Sequence, residues 1–229
     1  MTSQGPGSIK GRIKKLLGSE QFRDQLDTLE SFPPLKTVNS LFPFLCSSEK
    51  AVKWHSVTVM GIMVSRLVVQ DFEKARNVMR KLIWMLSEES GNIGWGAPEA
   101  MAEIMARDRQ MAREYSSILV SFMMEEGNYL EFEPLQKGVL WGIGRLAEAD
   151  AKLLTSHGAG EYLLPYLESS DSEIKGLAVR AAGLLKFEGA RRYIQKLVDD
   201  KEPIEIYENG RFVTVAVGEL VEELLRVLG

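Results

Sequence analysis

The sequence predicts an all-α chain, with helix pairs stacked into a right-handed α-α superhelix and a small β-hairpin near the C-terminal end. Three observations carry this. Residues 171–200, DSEIKGLAVRAAGLLKFEGARRYIQKLVDD, read as one helix-turn-helix unit, and a lone unit of that kind cannot bury its own apolar face. KGVLWGIGRLAE at 137–148 matches KGLAVRAAGLLK at 175–186, with glycines in register and Gly144 lying 39 residues before Gly183. Helix-pair repeats recur at roughly 40 residues. The third observation is a change of period, from helical to alternating, in IEIYENGRFVTVAV.

Each element has its own signal. Residues 1–7 are rich in glycine, proline and serine and are expected to be disordered, so that 8–229 forms a single repeat domain. Ile9 to Leu17 is a short basic amphipathic helix, and a second helix is expected from Glu20 to Phe32. Pro33 and Pro34 stop it, and Pro34 opens another through Val38, Leu41 and Leu45. Ser47 or Ser48 is expected to cap a long apolar helix to Val69, and Asp71 caps the next, to Leu86. KAVKWHSVTVMGIM at 50–63 is a third, weaker copy of the repeat, with Gly61 at the glycine position.

The stretch 87–96, SEESGNIGWG, is a glycine-rich loop. Helices follow from Ala97 to Met105, from Gln110 to Met124, from Pro134 to Ala147 and from Gly160 to Leu167. In the 171–200 unit, Asp171 caps a helix carrying Ile174, Leu177, Ala181 and Leu184; a second helix carries Ala190, Tyr193, Ile194 and Leu197. Asn209-Gly210 suits a type I′ turn, and a helix from Glu219 to Leu228 completes a hairpin-helix cap over 202–229.

Composition narrows the function. At 45% hydrophobic and 26% charged, the chain has the balance of a soluble globular protein. A net charge of -4 argues mildly against general nucleic-acid binding. Cys46 is the only cysteine, so no internal disulfide forms, and MTSQGPGS lacks the apolar core of a signal peptide. The apolar stretch Val57 to Val69, interrupted by Ser65 and Arg66, is short for a membrane span. A cytoplasmic location is expected. No His-Glu-x-x-His, Cys-x-x-Cys, phosphate-binding loop or nucleophile elbow occurs, so neither catalytic residues, metal ligands nor a cofactor are expected.

On DSEIKGLAVRAAGLLKFEGARRYI and KGVLWGIGRLAE, the chain resembles HEAT-like repeat proteins, including the phycobiliprotein-lyase type of short repeat. WMLSEESGNIGWGAPEAMAEIM, Trp84 to Met105, resembles a signature of an uncharacterised bacterial group of such proteins. The resemblance implies a scaffold or binding surface, with bilin lyases and alkyl-base DNA glycosylases as the enzyme-associated subgroups. The functional residues of neither subgroup map onto this sequence.

Candidate residues fall into three sets. Glu88, Glu89, Asn92 and Trp95 lie between the glycines of the 87–96 loop, which either binds a ligand or packs. Glu99 and Glu103, four apart on a helix, form with Glu88 or Glu89 an acid-base pair or a cation site, or else Glu99 simply favours the helix N-terminus. Trp54, His55, Trp141, Arg145 and Arg180 line a groove that takes an acidic peptide or a nucleic-acid strand, or else they serve packing and ion pairs between repeats. The expected function is non-catalytic binding of a protein or peptide by the concave helices and the loop. The alternative is nucleic-acid binding or base repair of the glycosylase-like HEAT type.

Overall fold

The computed structural model describes residues 8–87 and 94–229. The expected disorder at 1–7 lies outside them. So do Glu88, Glu89 and Asn92. The chain divides into two compact units, one ending at Asp108 and the other beginning at Arg109.

The first unit contains α1 (Ile9–Leu17), a 3-10 helix at Arg23–Ser31, α2 (Pro34–Leu45), α3 (Lys50–Gln70), α4 (Phe72–Ser87) and α5 (Ala97–Arg107). Its core gathers Ile13, Leu17, Leu41, Leu45, Met60, Met63, Met79, Leu82, Met101 and Ile104. Asp71 accepts from the Lys74 N–H at 3.1 Å, the expected cap of α4. The cap of α3 differs from expectation: Glu49 holds that position without a side-chain bond, while the Ser47 hydroxyl accepts from the Glu49 N–H one step early.

The helix expected at 20–32 tightens into the 3-10 form. Leu29 alone of Arg23–Ser31 is buried, so no continuous apolar face holds α geometry. The Arg66 guanidinium donates to the carbonyls of Leu29 (2.6 Å), Glu30 (3.1 Å) and Phe32 (3.2 Å), satisfying the end of that turn. α3 runs longer than its apolar stretch, to 21 residues, which by length and composition alone is enough to cross a bilayer. Its buried residues instead pack against α2, α4 and α5.

The second unit contains α6 (Arg109–Ser121), α7 (Glu133–Ser156), α8 (Ala159–Leu163) continued by a 3-10 turn, α9 (Ser172–Leu184), α10 (Arg191–Ile194) flanked by 3-10 turns, β1 (Pro203–Glu208), β2 (Arg211–Ala216) and α11 (Val217–Leu228). α7 outruns its expected end at Ala147. The backbone breaks at Asp150 (φ −152°, ψ 73°), whose carboxylate accepts from the Leu153 N–H and restarts the helix. Asp171 caps α9 as expected, accepting from Glu173 and Ile174 N–H at 2.9 Å each. The second helix of that unit is fragmented around α10, because only Ala190 and Ile194 of its apolar positions are buried.

The hairpin has the expected register, Glu208 opposite Arg211 and Ile206 opposite Val213. Asn209 (φ 49°) and Gly210 (φ 80°) turn it, in the mirror-image geometry that matches strand twist.

The repeat is visible in what its glycines face. A Cβ on Gly144 of α7 would stand 2.5 Å from the Arg180 guanidinium of α9; one on Gly183 of α9 would meet Leu224 of α11 at 3.6 Å. Both glycines therefore sit where one helix meets the next of the series. Gly61 of α3 does the same in the first unit, 2.6 Å from Glu103 of α5.

Candidate functional site

In the first unit, the turn before α5 gathers a small polar cluster. Gly96 takes φ +76° and lies so close to α2 that a Cβ would stand 2.6 Å from the Leu45 carbonyl. Only glycine meets both conditions without strain. The turn delivers the Trp95 carbonyl to the Cys46 thiol, which donates to it at 3.6 Å. Pro98 starts α5, and Glu99 follows in its first turn, where the helix dipole favours a carboxylate.

Glu99 is only 2% exposed and receives the Lys53 ammonium of α3 at 2.6 Å. Its second oxygen and the Trp95 indole N–H are buried without a hydrogen-bond partner among the described residues. Burial pushes the Cys46 thiol up from its ordinary value; Lys53 pulls it down and Glu99 pushes it further up. Cys46 is thus a poor nucleophile at neutral pH.

Glu103, Trp54 and His55 of this unit serve packing and pairing. Glu103 is buried and accepts from Arg107 Nε at 2.6 Å, so Glu99 and Glu103 each hold a cation of their own. Lys53 Nζ also lies 5.1 Å from the half-buried Trp54 ring. His55 is 8% exposed, stacks on Phe22 at 3.8 Å, and directs Nδ1 to the Leu17 carbonyl at 2.7 Å. That partner accepts only, so Nδ1 carries a proton, and burial lowers the His55 pKa despite this bond.

In the second unit, Trp141 is 4% exposed, and its indole N–H donates to the Tyr207 carbonyl at 2.9 Å. It ties α7 to β1 and is not accessible as an anchor. Arg145 and Arg180 do meet, at the two oxygens of Glu148 (3.3 and 2.5 Å). Arg180 also reaches Glu208 of β1 at 2.8 Å. Its guanidinium thereby joins α7, α9 and the hairpin, the inter-repeat role weighed from the sequence.

Beside Arg180 opens a cleft of about 410 Å³. α9 contributes Val179, Gly183 and Leu184; the hairpin contributes Ile206, Val213 and Val215; α11 contributes Leu220, Leu224 and Val227. Glu148, Glu208 and Glu223 stand among these apolar side chains. Val227 is 45% exposed, so the apolar floor reaches the surface. The whole unit is acidic, with 20 Asp and Glu against 14 Lys and Arg. Sequence reasoning gave this hairpin and helix a capping role only. The overlooked signal was the i, i+4, i+7 spacing of Leu220, Leu224 and Val227 with a glutamate beside it, and the run of valines in Arg211–Ala216.

No family model matches the chain. An uncharacterized protein of Archaeoglobus fulgidus is 26% identical over 197 residues, spanning 86% of this chain and 97% of its own. Solved structures give the fold. A designed armadillo repeat protein superposes with a TM-score of 0.59 at 17% identity, over 100% of this chain and 96% of that one. Another, solved in complex with the peptide (KR)4, gives 0.56 at 16% identity, over 95% and 98%. A structure of computationally designed armadillo repeat proteins for modular peptide recognition gives 0.55 at 16%, over 96% and 92%. The chain has the fold of the helical-repeat proteins, with a two-stranded antiparallel sheet near its C-terminal end.

Proposed function

We propose that the protein is a non-catalytic peptide-binding module, and that the cleft of its second unit takes a basic peptide with apolar side chains. One observation carries the reading: an open apolar floor, built from α9, the hairpin and α11, is set among three carboxylates in an acidic unit. The floor supplies burial, and the carboxylates select cationic side chains and speed their approach. Glu223 has no ion-pair partner among the described residues, whereas Glu148 and Glu208 are engaged with Arg180; Glu223 is therefore the acid readiest to receive a new cation.

The designed armadillo protein in complex with (KR)4 supports this reading by analogy of fold. The finer assignment, HEAT-like pairs of the short kind, rests on the 39-residue spacing of Gly144 and Gly183 and on their equivalent positions. A nucleic-acid strand has less support, because Arg145 and Arg180 already face carboxylates.

Fluorescence anisotropy with labelled (KR)4 and (DE)4 tests the proposal. Binding of (KR)4 but not (DE)4, weakened about tenfold by Glu223→Lys and by added salt, is expected. Equal binding of both peptides, or no effect of Glu223→Lys, refutes it.

A further inference from the structure

We infer that the partner binds as an added β-strand, pairing with the outer side of β2 while alternate side chains enter the cleft. This rests on the peptide-binding reading above and names its form. Among the described residues the sheet has two strands, so each has one side without a strand neighbour there. The two outer sides are treated differently.

β1 is closed. It begins with Pro203, which has no N–H to offer, and its Tyr207 carbonyl is taken by Trp141 of α7. β2 carries no proline and no bulge, and its register with β1 is unbroken from Arg211 to Ala216.

Parity shows which groups face outward. Glu208 and Arg211 close the two-residue turn, so the inward-bonded residues of β2 are Arg211, Val213 and Val215. Ala216 has the opposite parity, and its N–H indeed leaves the sheet to meet Glu219 at 2.9 Å. Thr214 shares that parity and is exposed, so its N–H and carbonyl point away from β1. Open edges of this kind invite pairing, and soluble proteins usually guard them.

The side chains of β2 complete the case. Val213 and Val215 lie on the cleft face, opposite Ile206 and Ile204. A strand laid beside β2 would send every second side chain to that same face, toward Leu224 and Val227, where Glu223 stands. β2 is six residues long, which limits the paired segment to about that length. The occupant is therefore an extended segment whose every second, cleft-facing side chain is apolar or basic, apolar for the floor and lysine or arginine for Glu223, and the acidic cleft supplies the charge complementarity.

The protein and a fluorescein-labelled octapeptide, Thr-Val-Thr-Arg repeated twice so that valine and arginine share one face, test this. Two further octapeptides carry N-methyl groups, one on the threonine amides and the other on the valine and arginine amides. In a strand, all the amides facing one neighbour belong to every second residue. One methylated peptide should therefore bind at least about tenfold more weakly than the parent, and the other within about threefold. Thr214→Pro removes an outward donor and none of the N–H groups that bond β1, and should weaken the parent peptide by about tenfold. If both methylated peptides bind like the parent while Glu223→Lys still weakens it, the peptide lies in the cleft without strand pairing. That outcome overturns strand addition and leaves the peptide-binding reading standing. Failure of the parent octapeptide and (KR)4 alike to bind removes both.

Discussion

Replacing Lys53 with methionine should destabilise the first unit by about 3 kcal/mol, the lower end of the range for breaking a buried ion pair. Glu99 is 2% exposed, and the Lys53 ammonium at 2.6 Å is its ionic partner among the described residues. Its other oxygen has no hydrogen bond among the described residues, so no second donor there compensates the loss. Two features hold the cost to the low end. Lys53 is 22% exposed, so water can approach from its side, and Glu99 sits in the first turn of α5, where the helix dipole contributes about 0.3–1 kcal/mol. Glu99→Gln in the Lys53→Met background removes the stranded charge and should recover about half of the loss. Urea unfolding of the wild type, both single variants and the double variant closes the cycle. A Lys53→Met cost under about 1 kcal/mol, or no recovery in the double variant, would refute the account of a desolvated pair.

Two further outcomes are expected. The His55 pKa is lowered by burial from its ordinary value of 6.5, so the folded state prefers the neutral ring. The associated stability is complete above pH 6.5 and falls as the pH drops through the folded value; His55→Gln should flatten that limb of a thermal-melt pH series. At the hairpin, Gly210 has φ 80°, and Gly210→Ala should cost about 1 kcal/mol by chemical denaturation, with the register kept. A neutral effect there would mean that the turn relaxes to another type.

Local signals wrote most of the fold into the sequence. Asp71 and Asp171 cap because a short carboxylate reaches the first free N–H groups of the helix that follows, and that geometry depends on neighbours only three residues away. Asn209-Gly210 fixed the hairpin for the same reason, since two positive φ angles are a property of the dipeptide. Gly61, Gly144 and Gly183 marked the repeat because helices of one series approach at equivalent points.

Tertiary structure decided everything that depends on a distant partner. The sequence left Arg180 between a ligand and an ion pair of neighbouring repeats; folding brought Glu148 and Glu208 to it, from 32 residues before and 28 residues beyond. Trp141 looked like an anchor until its N–H found a carbonyl 66 residues away, because a buried indole must bond whatever acceptor the fold supplies. The sequence shows Glu99 and Glu103 on one helix face; only the fold gave Glu99 its Lys53, from 46 residues earlier. Even the end of the helix expected at 20–32 depends on Arg66 of α3. The cleft follows the same logic: its valines, leucines and glutamates are unremarkable within α9, the hairpin or α11 taken singly. They become a surface only where those three elements meet, and periodicity cannot reveal that meeting because it records which face of an element is apolar, not what covers it.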